Sequence, residues 1–134
     1  MILEISLRDK IYIDEDTHDI YKRLKEDLKL FDTMKELFLV AAAVGYYNNK
    51  RVPLKRRKDI FSKSIFDKET DIPFIYVLAL AGEKSKEVFQ KDVLSVVEEY
   101  ANGGIRILAE KFENVRKMEE AIDEFSAYLV EKFG

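Results

Sequence analysis

The chain has 134 residues, 47% of them hydrophobic and 37% charged, which fits one domain with a buried core and is too apolar for wholesale disorder. Its 23 Lys plus Arg against 26 Asp plus Glu leave a formal net charge of −3, which excludes a uniformly basic nucleic-acid coat but not a local basic patch. With no cysteine and one histidine, disulfides, thiol nucleophiles, Cys-ligated zinc and every two-histidine motif are excluded.

The longest apolar runs, 37–44 and 72–81, fall short of the roughly 20 residues that a bilayer span needs. The opening Met1-Ile2-Leu3-Glu4-Ile5 lacks the basic region of a signal peptide. A cytoplasmic protein with no membrane partner is expected. Abundant Lys and Glu, a single glutamine and few Gly and Pro give the composition a thermophilic lean.

In chain order, residues 2–13 alternate weakly, and 1–15 are expected as an extended arm or short hairpin. Ile20, Leu24, Leu28 and Phe31 then recur at helical spacing after Asp16 or Thr17 as a cap, which predicts a helix at about 17–31. Thr33 with Glu36 forms a capping-box pattern opening a second helix from Met34 to Tyr47. That helix is apolar on nearly every face, so neighbours must cover it.

Lys50-Arg51-Val52-Pro53-Leu54-Lys55-Arg56-Arg57-Lys58 places six basic residues and no acidic one in nine positions. The run carries +6, and the other 17 basic against 26 acidic residues leave −9. Pro53 disfavours a helical Val52, so 50–66 reads as a basic loop followed by an irregular stretch or short helix with Ile60, Phe61, Ile65 and Phe66 as anchors. Asp71-Ile72-Pro73 starts another helix with Pro73 at its first position, and Phe74–Ala81 is a second run apolar all round, closed by Gly82. Residues 87–102 carry a broad amphipathic stripe, and Gly103-Gly104 is expected to stop or bend that helix before Ile105–Phe112 continues. A last helix after Asn114 would turn Met118, Ile122, Phe125, Leu129 and Phe133 inward. The expected fold is mainly α: a single-domain bundle of about five to six helices, residues 1–134, with a short N-terminal arm.

Among candidate sites the basic run stands first. Lys50, Arg51, Lys55, Arg56, Arg57 and Lys58 on a loop suit phosphate contact through counterion release; the plain alternative is a solvated loop paired with the chain's own acidic helices. Val52, Pro53 and Leu54 in its middle suggest anchoring to the core, which would present the flanking charges rigidly. A weaker anion site would use the amides of Gly103 and Gly104 with Arg106, although a helix end or bend is the commoner role for such a pair. Glu98, Glu99, Glu110, Glu113, Glu119, Glu120, Asp123 and Glu124 are hard-cation ligand types, but their spacing is that of a solvated helix face. His18 lies in a first turn where a surface histidine is the ordinary case. No catalytic residue, metal ligand set or cofactor is assigned.

Three stretches carry a family resemblance: Leu39-Val40-Ala41-Ala42-Ala43-Val44-Gly45 running into Lys50-Arg51-Val52-Pro53-Leu54; Val77-Leu78-Ala79-Leu80-Ala81; and Glu98-Glu99-Tyr100-Ala101-Asn102-Gly103-Gly104-Ile105-Arg106-Ile107-Leu108. Their order and spacing over about residues 17–110 resemble small proteins of the DNA phosphorothioation-associated (dnd system-associated) family, fourth type. The Tyr-Ala-Asn-Gly-Gly element is the most specific part. The longer basic run after Leu54 and the N-terminal arm depart from the pattern. The resemblance implies a cytoplasmic accessory of a DNA-modification or restriction system that replaces a backbone phosphate oxygen with sulfur, and it carries no catalytic residue over.

Three functions follow as expectations. The first is a non-enzymatic adaptor docking protein partners of such a system and the DNA backbone. The second is a direct DNA-binding regulator using loop 50–58, a reading weakened because no regular helix offers an Arg/Asn/Gln-rich recognition face. The third, weakest, is a metal-dependent hydrolase or nuclease.

Overall fold

The computed structural model describes residues 8–84, 92–115 and 118–133. It is mainly helical, at 66% of residues, as the periodicities require. Strand β1 (Lys10–Asp14) leads through a 3-10 turn (Glu15–Thr17) into α1 (His18–Lys22), which widens into a π-turn over Arg23–Asp27. The first predicted helix therefore ends short of Phe31. Leu28 and Leu30 donate back to Arg23 and Leu24, and Lys29 takes a left-handed φ of 53° at the reversal. Leu24, Leu28 and Phe31 are buried as their spacing demands, and Tyr21 joins them.

Helix α2 (Met34–Tyr47) has the predicted bounds, because its start is written locally: the Thr33 hydroxyl accepts from the Glu36 N–H, while the Glu36 carboxylate accepts from the Asp32 N–H. The 50–66 stretch differs from expectation. The loop ends at Arg56, and Arg57–Ser62 form strand β2, antiparallel to β1, with Ile11 opposite Phe61 and Tyr12 opposite Asp59. Ile60 is the extra residue of a bulge between those pairs. The described part of the N-terminal arm thus finds its partner more than 40 residues away, and residues 1–7 of the expected arm lie outside the described residues. Its alternation still holds, since Ile11 and Ile13 are both buried.

Helix α3 (Asp71–Glu83) starts two residues before the expected first position at Pro73, which sits within its first turn. Gly82 does not end it; Lys84 does, in the left-handed region at φ 59°. Helix α4 (Val93–Lys111) is unbroken through Gly103-Gly104, so the expected stop or bend is absent. From Val96 to Ile105 all its residues except Glu99 are buried, which makes α4 the hub against which α2, α3 and β1 pack.

The reason for the unbroken course is steric. A Cβ on Gly104 would lie 1.7 Å from the Ala41 carbonyl oxygen, and one on Gly45 would lie 1.9 Å from that of Tyr100. The two helices cross backbone against backbone, and the glycines form the notch that permits it.

Helix α5 (Met118–Phe133) departs from its predicted face. Tyr128 is buried and Phe125 half-buried, with Phe125 meeting Phe31 edge-on at 5.8 Å and Phe112 at 6.0 Å. Ile122 and Leu129 are exposed, because only one side of α5 rests on the core. Helix α3 likewise is not covered all round: Ile75, Tyr76, Leu78 and Ala79 are buried, but Val77 is 66% exposed.

Candidate functional site

The basic run is fastened to the hub helix by its backbone. Gly103 lets it lie there, since a Cβ at that position would fall 2.0 Å from the Lys50 carbonyl oxygen. The Val52 N–H donates to the Glu99 carbonyl at 3.0 Å. The buried Asn102 side chain turns its amide outward and donates to the carbonyls of Val52 at 3.1 Å and Pro53 at 3.4 Å. Two residues beyond Pro53, the Lys55 N–H donates to the buried Asp14 carboxylate at 3.0 Å, and the Arg56 carbonyl accepts from the Glu15 N–H at 2.8 Å. The segment is a strap held by α4 on one side and the end of β1 on the other. The sequence suggested anchoring through Val52, Pro53 and Leu54; their side chains are half-buried or exposed, and the anchor is a set of polar bonds to the backbone instead.

The six basic side chains divide. Arg51 is spent internally: it pairs with Glu83 and with Glu99, each at 2.7 Å, and stacks over the Tyr100 ring at 5.7 Å. Burial works against its charge, but those carboxylates hold its pKa above the ordinary value. Lys50, Lys55, Arg56, Arg57 and Lys58 form no ion pair with any described residue. Lys55, Arg56 and Arg57 are exposed and Lys58 half-buried, the last two lying on β2. Lys55 and Arg56 face Asp14, Glu15 and Asp16 across a cleft of ≈ 450 Å³.

The weaker anion site does not form. The amides of Gly103 and Gly104 lie inside an α-helix, where the i−4 carbonyls engage them, and both residues face other backbones. Arg106 points the other way, to Asp16 at 3.0 Å, Asn102 at 3.1 Å and Asp14 at 3.6 Å. Asp14 feels opposite influences: burial would raise its pKa, but the N–H donors, that of Lys55 foremost, hold the carboxyl below the usual range.

A second polar centre is built on α4 around Glu98, beyond the cation-ligand role its residue type suggested. Glu98 is 3% exposed, and its carboxylate takes both terminal nitrogens of Arg8 and the Tyr12 N–H, the last at 2.6 Å. Arg8 also reaches Asp92 at 2.8 Å. Burial pushes the Glu98 pKa up, and Arg8 opposes that shift. The neighbouring Tyr21 hydroxyl, fully buried without a hydrogen-bond partner among the described residues, is pushed up by burial first and by the Glu98 charge second. Glu98 follows Leu94 and precedes Ala101 and Ile105 at spacings of four, three and four. An acid on that apolar stripe is the signal of a buried partner. The other candidate carboxylates scatter: Glu99 pairs with Arg51, while Glu119, Glu120, Asp123 and Glu124 lie exposed along α5. Among the described residues no three metal-ligating side chains converge. His18 is half-buried in the first turn of α1.

Fold and surface together define a small, mainly helical protein that displays a backbone-fixed basic strap on its central helix. The chain belongs to the family of DNA sulphur modification system-associated protein 4, which matches residues 10–131. The match reaches past the motifs that carry the sequence resemblance and takes in β1 and most of α5. No curated protein and no solved structure matches the chain. No helix among the described residues is long and apolar enough to cross a membrane.

Proposed function

We propose that the chain is a non-enzymatic, cytoplasmic adaptor of a DNA sulphur-modification system, docking on that system's proteins and touching the DNA backbone through the 55–58 strap. The observation that carries this reading is the combination of a fixed backbone with unpaired charge. Asp14 and Asn102 hold the main chain of the strap, while Lys55, Arg56, Arg57 and Lys58 have no ionic partner among the described residues. A main chain already held spares the cost of ordering the loop on meeting a polyanion, and phosphate contacts position a protein without reading sequence. Association with a DNA-modification system comes from the family.

The stand-alone regulator is disfavoured because Arg106, which would have widened the positive surface, is spent on Asp14 and Asp16. Titration of fluorescent duplex DNA at low salt tests the reading. Binding is expected in the roughly 10⁻⁴–10⁻⁶ M range, equal for unrelated sequences and falling steeply with salt. Replacing Lys55, Arg56, Arg57 and Lys58 together with alanine should abolish it and flatten the salt slope. No binding by the unaltered chain, or equal binding by the quadruple variant, removes DNA from the account. A preference of about 10³ or more for one sequence restores the regulator.

A further inference from the structure

The hydrogen-bond ladder of the two-stranded sheet fixes where each backbone group points. At one end the Glu15 N–H donates to the Arg56 carbonyl, and at the other the Lys63 N–H donates to the Asp9 carbonyl, both at 2.8 Å. Bonded and non-bonded pairs alternate along an antiparallel ladder. Counting from Arg56, Lys58 turns its main-chain groups to Ile13. Arg57 and Asp59, opposite Asp14 and Tyr12, turn theirs away from β1.

On β1 such outward groups are taken. The Tyr12 N–H donates to the Glu98 carboxylate at 2.6 Å, and the Lys10 carbonyl accepts from Arg8 at 2.7 Å. On β2 they are not: among the described residues nothing bonds to the outward N–H and C=O of Arg57 and Asp59. Both residues are exposed, and no residue of β2 is buried. A free edge of this kind is a template for one more strand.

We infer that the Arg57–Asp59 edge of β2 takes an extended acidic segment of a protein partner as a third strand. Charge selects that occupant. Lys55, Arg56, Arg57 and Lys58 stand along and before the edge with no ionic partner among the described residues, against the single carboxylate of Asp59. Opposite charges on neighbouring strands attract and like charges repel. A second copy joining edge to edge would set these cations against themselves, whereas a strand bearing Asp and Glu meets them with the opposite sign. The bulge at Ile60 bends the edge just past Asp59, which keeps the contact short.

Hydrogen-bond chemistry separates a peptide from nucleic acid at this edge. Phosphate accepts hydrogen bonds and donates none, so it leaves the outward carbonyls of Arg57 and Asp59 unmatched. A peptide strand supplies N–H and C=O in alternation. An acidic strand here is the protein contact of the proposed adaptor, and the assignment rests on that reading. About four backbone bonds and a few exposed ion pairs make a weak contact, with dissociation in roughly the 10⁻⁵–10⁻³ M range.

Fluorescence polarisation tests this with the full chain and a labelled peptide of alternating glutamate and valine, six residues long like β2. That peptide should bind; its lysine–valine counterpart, and the same peptide with its backbone nitrogens methylated, should not. Hydrogen exchange at the Arg57 and Asp59 amides should slow in the complex. Asp59→Pro removes an outward N–H and leaves the bonded pairs of the ladder intact. It also removes a negative charge, so a purely ionic contact would tighten, whereas strand addition should weaken at least about ten-fold. Duplex DNA should bind Asp59→Pro no less well than the unaltered chain, which separates the edge from the phosphate contact of the strap. No peptide binding by the unaltered chain, equal binding of the methylated peptide, unslowed exchange, undiminished peptide binding by Asp59→Pro, or a parallel loss of its DNA binding overturns the assignment. Duplex DNA bound by the unaltered chain would still uphold the strap.

Discussion

Gly104→Ala adds one methyl group, and its cost can be worked from the crossing of α2 and α4. The new Cβ would lie 1.7 Å from the Ala41 carbonyl oxygen and 2.8 Å from the Gly45 nitrogen, where ordinary contact begins at 3.4 Å. Both obstacles are backbone atoms of a regular helix, so no rotamer change relieves them. The two helices must part by about 1.7 Å along that line, or α2 must deform. Either response loosens contacts made by Phe38, Ala41, Ala101 and Ile105, all at most 1% exposed.

Overpacking of this kind costs about 1–3 kcal/mol, and a backbone obstacle belongs at the upper end. Alanine returns about 1 kcal/mol through better helix propensity. The net loss is about 2 kcal/mol, a fall in melting temperature of roughly 6–8 °C for a chain of this size. Thermal unfolding followed by circular dichroism measures it. Gly82→Ala is the comparison, because there the new Cβ meets the Tyr100 side chain, 2.6 Å from Cε2, and a ring gives way more easily than a carbonyl. If Gly104→Ala melts at or above the parent temperature, propensity outweighs packing and the two helices are not in backbone contact.

Three further outcomes are expected. Asn102→Ala should destabilise the chain by about 1–3 kcal/mol by orphaning the Val52 and Pro53 carbonyls, and should speed hydrogen exchange at the Val52 N–H; unchanged exchange would mean that the strap is held by something else. Glu98→Ala should cost about 2–3 kcal/mol in urea unfolding, less than a fully buried pair because Arg8 keeps Asp92 and some solvent; Glu98→Gln should cost less, since its oxygen can still accept from Tyr12, and equal losses would deny the carboxylate's acceptor role. Asp14, whose pKa is depressed by folding, contributes stability that is present above its unfolded pKa of about 3.9 and lost as pH falls through the lower folded value. The stability gap between the parent and Asp14→Asn should therefore narrow below about pH 4, and a gap constant from pH 7 to 3 would contradict the assignment.

Sequence alone determined what is local. The Thr33 and Glu36 cap places the start of α2 to the residue, because donor, acceptor and helix lie within four positions. Asp71 marks α3, and the clustering of six bases at 50–58 is a property of composition.

Tertiary structure decided everything that needs a distant partner. Gly103-Gly104 reads as a helix end when only backbone freedom is weighed. It is a helix interior because α2 and the strap approach so closely that no Cβ fits. Residues 57–62 look irregular until β1 arrives from the N-terminus to pair with them. Glu98 and Glu99 are alike as neighbours in the chain, yet adjacent helix positions point about 100° apart, so one is buried beneath Arg8 and the other sits at the rim with Arg51. Phe74 and Val77 belong to a run apolar on every side, which demands covering; the fold covers one side of it and leaves these two exposed.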